Sequence, residues 1–226
     1  MTRIERRSPV QFKGRIKKWE VRDNWTVALA YEDEGQGPFL VDLSHITRWD
    51  LQDKSLSRFN QPPGKEVPEL PGSCRLQDGV LVTRMNRTQA VIWHLLSGAP
   101  DLPAESGYTD VSDATICLAL FGPNALAVAE KLCALDFLDP GKQVPFLLQG
   151  PFSHVPCQLV LMERGRGFDG GLLLTCSRGY AESMVHAILG AGAEFGLKPA
   201  GKERFTDWLG TAFPAQDTSS RKGKPA

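Results

Sequence analysis

Two copies of one short motif hold the side chains that first suggest chemistry in this chain. VDLSHIT, at residues 41–47, and TDVSDAT, at residues 109–115, share the pattern D-[LV]-S-x-x-T, so that Asp42 corresponds to Asp110. Short polar side chains of this kind bond nearby backbone N–H groups, so one interpretation is a local cap at the start of a strand. The other interpretation is a ligand contact where two halves of the molecule meet.

Nucleophilic and metal chemistry find less support. A hydrolase needs a nucleophile, a base and a group that orients the base, all within hydrogen-bond reach. Ser44 and His45 are adjacent, and successive residues of a strand point to opposite faces, so we expect them not to converge. The five cysteines and four histidines are scattered without a C-x-x-C pair or another zinc spacing. We therefore expect reduced, structural cysteines and no metal.

Two further acidic residues lie beside glycines. Asp78 precedes Gly79, and D-G is typical of a tight hairpin turn, although a carboxylate there can also orient a ligand. Asp169 follows Arg164 in RGRGFDGG, where the alternatives are a flexible hairpin loop and a basic loop that binds an anionic group or an acidic partner. The glycine spacing matches neither common nucleotide-binding pattern.

Length and composition describe a globular protein. The 226 residues are 42% apolar and 23% charged, with 26 basic and 26 acidic side chains. Zero net charge argues against a protein built to bind nucleic acid. No apolar run approaches the ~20 residues that span a bilayer, and the N-terminus lacks the apolar core of a signal peptide. We expect a cytoplasmic protein without nucleic-acid or membrane partners.

Hydrophobic patterning divides the chain into two similar halves. We predict a flexible N-terminus at 1–12, a first half at 13–97, a linker at 98–107, a second half at 108–212 and a disordered tail at 213–226. In each half, the motif leads into a strand, a helix-capable stretch and a strand pair. This order predicts an α+β fold of duplicated β-α-β-β, ferredoxin-like units.

Individual elements follow from periodicity and turn residues. We predict a hairpin that turns near Asp23-Asn24, one continuous strand over 39–51, and a helix in which Pro123 takes the first position. Strand pairs are predicted over 80–85 with 90–96 and over 155–163 with 170–177. A final helix begins near residue 178 and ends at Gly196.

Several of these segments resemble the folate-binding aminomethyltransferases, such as the T-protein of glycine cleavage. VDLSHITRWDLQ is similar to the "DLS" strand near their start, and TDVSDATICLALFGPNALAVAEKLCALDF to their second signature. The pattern is most similar to that of the short relatives, the gamma subunits of heterotetrameric sarcosine oxidase. The resemblance covers roughly residues 37–200.

The resemblance implies a pseudo-two-fold, folate-binding fold with tetrahydrofolate in a central channel, lacking the C-terminal barrel of the full-length enzymes. It implies that Asp78 positions the folate for catalysis and that Arg164 and Asp169 belong to the pterin-binding motif. That motif is one residue shorter here, and Asp stands in place of Glu. We expect Asp78 and Asp169 to face one cavity between the halves.

Two functions follow from the resemblance. The first is a tetrahydrofolate-dependent one-carbon transfer protein or subunit, which carries methyl or aminomethyl groups. The alternative is a non-catalytic structural subunit of a multisubunit, sarcosine-oxidase-like oxidoreductase. Larger oxidoreductase or methyltransferase subunits are the expected partners, with Trp208 as a candidate interface residue. A tRNA- or iron–sulfur-linked relative would carry K-G-C-[YF]-x-G-Q-E, which does not occur here.

Overall fold

The computed structural model describes residues 5–59, 66–96, 98 and 100–214. Most of the predicted tail, from residue 215 on, and the first four residues therefore lie outside the described residues. The described chain forms strands and helices in the following order: β1 (Ile16–Arg22), β2 (Trp25–Tyr31), β3 (Phe39–Asp42), β4 (Arg48–Gln52), β5 (Cys74–Gln77), β6 (Val80–Arg84), β7 (Gln89–His94), β8 (Tyr108–Asp110), β9 (Thr115–Gly122), α1 (Ala125–Glu130), β10 (Phe146–Phe152), β11 (Val155–Arg164), β12 (Gly170–Ser177), α2 (Ala181–Gly192), β13 (Lys198–Ala200) and α3 (Lys202–Ala212).

These strands form three sheets in a mixed α+β arrangement. The first is the β1-β2 hairpin, the second runs β10-β11-β12-β9-β3-β13, and the third runs β5-β6-β7-β4-β8. The two larger sheets repeat one plan: three consecutive strands, then the strand that follows one motif copy, then the strand that precedes the other copy. Each motif therefore carries the chain from one sheet to the other.

This crossing corrects the prediction of one strand over 39–51. β3 ends at Asp42 in the six-stranded sheet, and β4 begins at Arg48 in the five-stranded sheet. The predicted helix of the first half is a single 3₁₀ turn at Leu56–Phe59. Helix α1 also begins later than expected, since Asn124 precedes it with a φ of 57° and leaves Pro123 outside the helix.

Both motif copies form the same local turn. Asp42 Oδ1 accepts the Ser44 N–H at 2.9 Å, and Asp110 Oδ1 accepts the Ser112 N–H at 2.8 Å. These are the local side-chain caps that the residue types favour. Backbone bonds close both turns, from Ile46 N to Leu43 O at 3.0 Å and from Ala114 N to Val111 O at 3.1 Å.

Hydrogen bonds also link the two motif copies to each other. Ser44 Oγ accepts the Cys117 N–H at 3.2 Å, and Ser112 Oγ accepts the Arg48 N–H at 2.9 Å. The Arg48 guanidinium lies almost fully buried between the copies, at 1% exposure. It donates to the carbonyls of Ile46 at 3.1 Å, Ser112 at 2.6 Å and Thr115 at 2.8 Å. The motif is thus the point at which the two sheets are joined.

Strand alternation divides the core into layers. On β3 and β9, Leu40 and Leu118 point to one face, where α1 and α2 cover them, whereas Val41 and Ala119 point towards the five-stranded sheet. Trp93 on β7 meets them from the opposite side. A third cluster covers the outer face of the five-stranded sheet.

Helix α3 was not predicted from the sequence. Phe205 and Leu209 are buried one turn apart, and the helix packs against β2 and β3. Trp208, which we predicted at an interface, is half-buried and stacks on Phe121 within the chain at 4.6 Å between ring centroids. Its indole N–H donates to Glu163 Oε2 at 2.6 Å.

Among the described residues, no helix is long and apolar enough to cross a membrane.

Candidate functional site

The first motif forms the floor of a cavity of about 430 Å³. Residues 5–12 form one wall, the β1-β2 hairpin forms another, and Asp42 and His45 close the bottom. Small-molecule sites commonly have this size and combine apolar walls with a few convergent polar groups. We therefore treat this cavity as the candidate functional site.

The hairpin and the N-terminal segment position the walls. The hairpin turns at Asp23 and Asn24, both with positive φ, as the D-N pair predicts. The Arg6 N–H donates to Asn24 O at 2.9 Å, and its guanidinium lies 4.7 Å from the centre of the Trp25 ring. An ion pair of 2.5 Å links Arg6 to Asp113. Residues 5–12 are thus attached to the hairpin.

Asp42 and Glu5 are the acidic residues that line the cavity, and Glu5 is paired with Arg7. Burial raises the pKa of Asp42, while hydrogen bonds from Ser8 and Ser44 and the charge of Arg48 offset part of this rise. Within the described chain, no lysine or arginine forms an ion pair with this carboxylate. Asp110, its counterpart in the second motif, is exposed and does not line the cavity.

Two neutral polar groups accompany Asp42. Burial, with the nearby charges of Asp42 and Glu34, raises the pKa of Tyr31 to about 12, so its hydroxyl keeps its proton. Burial, with the positive charges of Lys202, Arg22 and Arg48, lowers the pKa of His45 to about 3, so its ring is neutral at pH 7. His45 Nε2 is buried and has no hydrogen-bond partner among the described residues.

This set of groups suits binding better than covalent or proton-transfer chemistry. A general acid or base works best with a pKa near the working pH, whereas the pKa values of Tyr31 and His45 lie far from 7. The thiol of Cys117 is buried behind the floor, and burial raises its pKa to about 12. In the described chain, no group of three or more metal-ligating side chains is close enough to hold an ion.

The residues that the family resemblance assigned to folate lie elsewhere. Asp78 occupies the exposed β5-β6 turn with a φ of 50°, and Gly79 follows at 74°. No described residue bonds to the Asp78 carboxylate. Asp169 lies in the β11-β12 loop, where its Oδ1 accepts the Asn124 N–H at 3.0 Å. Neither residue lines the cavity described above.

Arg164, the third of these residues, holds a loop. It ends β11 and donates to the carbonyl oxygens of Phe137 at 2.9 Å, Lys142 at 3.0 Å and Asp139 at 2.7 Å. Its guanidinium also lies 5.1 Å from the centre of the Phe146 ring. Arg164 therefore fixes the segment between α1 and β10.

One of the polar residues of this cavity was identified from the sequence. The repeated motif indicated that Asp42 is a local cap or a ligand contact. His45 was excluded as a catalytic base because residues 44 and 45 were predicted to lie in a strand. They lie in a turn, so that argument does not apply. Tyr31 was not singled out, because only the packing of the hairpin on the first motif reveals its position.

The neutral state of His45 predicts a pH dependence of stability. The folded pKa lies below the usual value of 6.5, so the unfolded chain binds the proton first as the pH falls. The free energy of unfolding is therefore unaffected by His45 above pH 6.5. It falls as the pH drops from 6.5 towards 3, at up to ~1.4 kcal/mol per pH unit, because the unfolded chain binds the proton more tightly. We expect the His45→Gln substitution to reduce this decline. Urea denaturation at a series of pH values measures the free energy of unfolding.

The His45→Gln variant must be compared with the unsubstituted protein, because the titration of Asp42 changes the free energy of unfolding in the opposite direction. Its raised pKa removes stability as the pH rises from 3.8, and this contribution is present in both proteins. An unchanged slope in the His45→Gln variant would show that His45 titrates normally in the folded state.

Comparisons with known proteins identify the fold. No family model and no curated protein matches the chain. A chain of the heterotetrameric sarcosine oxidase from Corynebacterium sp. U-96 aligns with a TM-score of 0.57 and 19% identity, over 69% of this chain and 84% of that chain. The glycine cleavage system aminomethyltransferase T from Bartonella henselae aligns with a TM-score of 0.53 and 14% identity, over 83% of this chain and 56% of that chain. At these identities the likeness shows a shared fold.

Proposed function

We propose that this chain is a structural subunit of a larger one-carbon oxidoreductase of the sarcosine oxidase kind. The observation that carries the proposal is the state of the two residues that the family resemblance assigns to the pterin-binding motif. Arg164 is held by three carbonyl oxygens, and Asp169 binds a backbone N–H of the neighbouring loop. Side chains engaged in this way stabilise the fold, and removal of their hydrogen bonds to bind a pterin ring would cost free energy.

The fold supports the choice of enzyme class. The similar sarcosine oxidase is a heterotetramer, and the likeness extends over 84% of one of its chains. We therefore propose larger oxidoreductase or methyltransferase subunits as partners. The repeated strand order and the reciprocal bonds of the two motifs also support a pseudo-two-fold, duplicated origin of the fold.

A second candidate is one-carbon transfer with tetrahydrofolate bound to this chain. The observation that favours it is the free carboxylate of Asp78, which is exposed at the tip of the β5-β6 hairpin. In this proposal Asp78 orients the folate and brings its reactive nitrogen close to the donor. Arg164 and Asp169 would then complete the folate site only after their present contacts are exchanged.

Calorimetric titration with tetrahydrofolate separates the two candidates. For a structural subunit, we expect no binding by the isolated chain at micromolar concentrations. For the transfer function, we expect micromolar binding that Asp78→Asn weakens tenfold or more, about 1.4 kcal/mol. Asp23→Asn is the matched control, since Asp23 takes the same exposed, positive-φ turn position in the β1-β2 hairpin.

The partner is tested separately. We expect neighbouring genes to encode large flavin oxidase or methyltransferase subunits, and co-expression with them to yield one complex that contains this chain in stoichiometric amount. Size-exclusion chromatography with light scattering measures that assembly. A complete and fully active oxidase that forms without this chain would rule out the structural role.

A further inference from the structure

We propose that the cavity above the first motif binds a small organic ammonium ion, with Asp42 as its counter-ion. The ligand class is a primary or secondary amine on a compact apolar or aromatic body. The proposal concerns a site separate from Asp78, Arg164 and Asp169. It holds whether or not the chain is a subunit of a larger oxidoreductase.

The first argument is that no cationic side chain of the described chain contacts the Asp42 carboxylate, although the charge of the nearby Arg48 lowers its pKa. Buried charges in proteins are normally paired or bound to an ion. The two arginines that line the cavity are already engaged, Arg6 with Asp113 and Arg7 with Glu5. The buried Arg48 donates to three backbone carbonyls instead. Within the described chain, Asp42 therefore lacks a cationic partner, although its carboxylate borders an open volume.

The second argument is the chemistry of the neighbouring groups. An ammonium group carries only hydrogen-bond donors, so its site needs several acceptors. Asp42 offers carboxylate lone pairs beyond the bonds from Ser8 and Ser44. His45 lines the cavity with a neutral ring, and its Nε2 is buried without a partner among the described residues. Tyr31 offers its phenolic oxygen. All three side chains line the same cavity.

The third argument is the shape and polarity of the walls. Val10, Phe12 and Val27 line the cavity beside Tyr31, and the Phe12 and Tyr31 rings meet edge to face at 6.2 Å. Aromatic faces attract cations and also bind the apolar body of an amine. A volume of about 430 Å³ admits a ligand with one ring.

The second motif supplies an internal control for this proposal. Asp110 Oδ1 accepts the Ser112 N–H at 2.8 Å, as Asp42 Oδ1 accepts the Ser44 N–H at 2.9 Å. Asparagine can accept the same N–H through its side-chain oxygen, so Asn at either position retains the turn. Only Asp42 borders the cavity. The two substitutions therefore share their structural effect and differ in their effect on binding.

Benzylammonium chloride is the probe, with benzyl alcohol as the neutral analogue of the same shape and sodium chloride to match ionic strength. Binding is measured by the shift of the Trp25 indole and Ser44 amide signals in ¹⁵N–¹H spectra. We expect saturable shifts with benzylammonium and at least tenfold weaker binding of benzyl alcohol. Asp42→Asn should remove this preference, and Asp110→Asn should leave it intact. Tyr31→Phe keeps the ring and removes one acceptor, so it should weaken the binding of benzylammonium several-fold.

Three outcomes would overturn the proposal. Equal affinity for the amine and the alcohol would show that the charge of Asp42 does not select the ligand. Competition by sodium ions at equal concentration would show a site for inorganic cations. An unchanged benzylammonium affinity in folded Asp42→Asn protein would place the binding elsewhere. None of these results depends on tetrahydrofolate or on a partner subunit.

Discussion

Replacement of Arg48 by alanine is expected to lower the free energy of unfolding by about 3–5 kcal/mol, because hydrogen bonds to charged groups contribute roughly 1.5–3 kcal/mol each and are not additive. Arg48 is buried at the crossing of the two motifs and donates to the carbonyls of Ile46, Ser112 and Thr115. Alanine leaves these oxygens without their donor in a region closed to water. The loss is a large part of the roughly 5–15 kcal/mol that stabilises a typical protein.

Urea denaturation monitored by circular dichroism measures this change. Arg48→Met keeps the apolar stem and removes the donors, so we expect it to be nearly as destabilised as Arg48→Ala. Arg48→Lys keeps the charge and one donor nitrogen in place of the two that bind the carbonyls, so its loss should fall between. Arg58→Ala is the control. Arg58 is exposed and paired with Asp53, so we expect a change below ~1 kcal/mol. A loss for Arg48→Ala no larger than that of Arg58→Ala would show that the crossing does not depend on this side chain.

The second large effect is expected where α3 meets β12. Gly171 lies directly beneath the indole of Trp208, and a Cβ at that position would overlap the ring and lie 2.8 Å from Phe121 Cβ. We expect Gly171→Ala to destabilise the protein by about 1–3 kcal/mol through overpacking. Trp208→Ala should cost about 3 kcal/mol, since it removes the stacking on Phe121 and the bond to Glu163.

The double variant tests the cause. With the indole removed, the added methyl group has room, so Gly171→Ala with Trp208→Ala should lose at least ~1 kcal/mol less than the sum of the single losses. The unfolding free energies of all three variants give this coupling. Gly190→Ala is the control, because that helical glycine has open space around it, and alanine should stabilise α2 by roughly 0.5–1 kcal/mol. Additive losses would mean that the two sites act independently.

The sequence predicted the elements whose signals are local. The hairpin turn at Asp23-Asn24 and the strands β6, β7, β11 and β12 occur as expected. In each case, alternating apolar residues or a turn residue fixes the structure within a few positions. The α+β class follows from the same patterns. Helix α2 ends at Gly192, earlier than predicted, and a 3₁₀ turn at Ala193–Phe195 leads to the left-handed Gly196.

The predicted elements differ from the structure where residues distant in the chain determine the local conformation. The turn between β3 and β4 depends on the bond from Cys117 N to Ser44 Oγ, across 73 positions of the chain. No local pattern encodes that partner, so the segment was interpreted as one strand. Helix α3 has only a narrow apolar face around Phe205 and Leu209, and packing on β2 and β3 stabilises it.

The candidate site shows the same limit. Asp42 was recognisable because its motif occurs twice, but nothing in the sequence distinguishes it from Asp110. The difference arises from residues 5–12 and the β1-β2 hairpin, which line a cavity that includes Asp42 and excludes Asp110. The folate assignments of Asp78, Arg164 and Asp169 rested on family resemblance and stay predictions.

The exchange of β3 and β8 between the two larger sheets has a consequence for how such a fold can arise. β3 completes the sheet of the second half, and β8 completes the sheet of the first. A single half on its own would close its sheet only by accepting a strand from another copy, which is a two-fold symmetric, domain-swapped dimer. Joining the two copies in one polypeptide replaces an encounter between molecules by an intramolecular contact at high effective concentration. If the fold arose by the duplication proposed above, each half was then free to diverge, which would account for the difference between Asp42 at the cavity and the exposed Asp110.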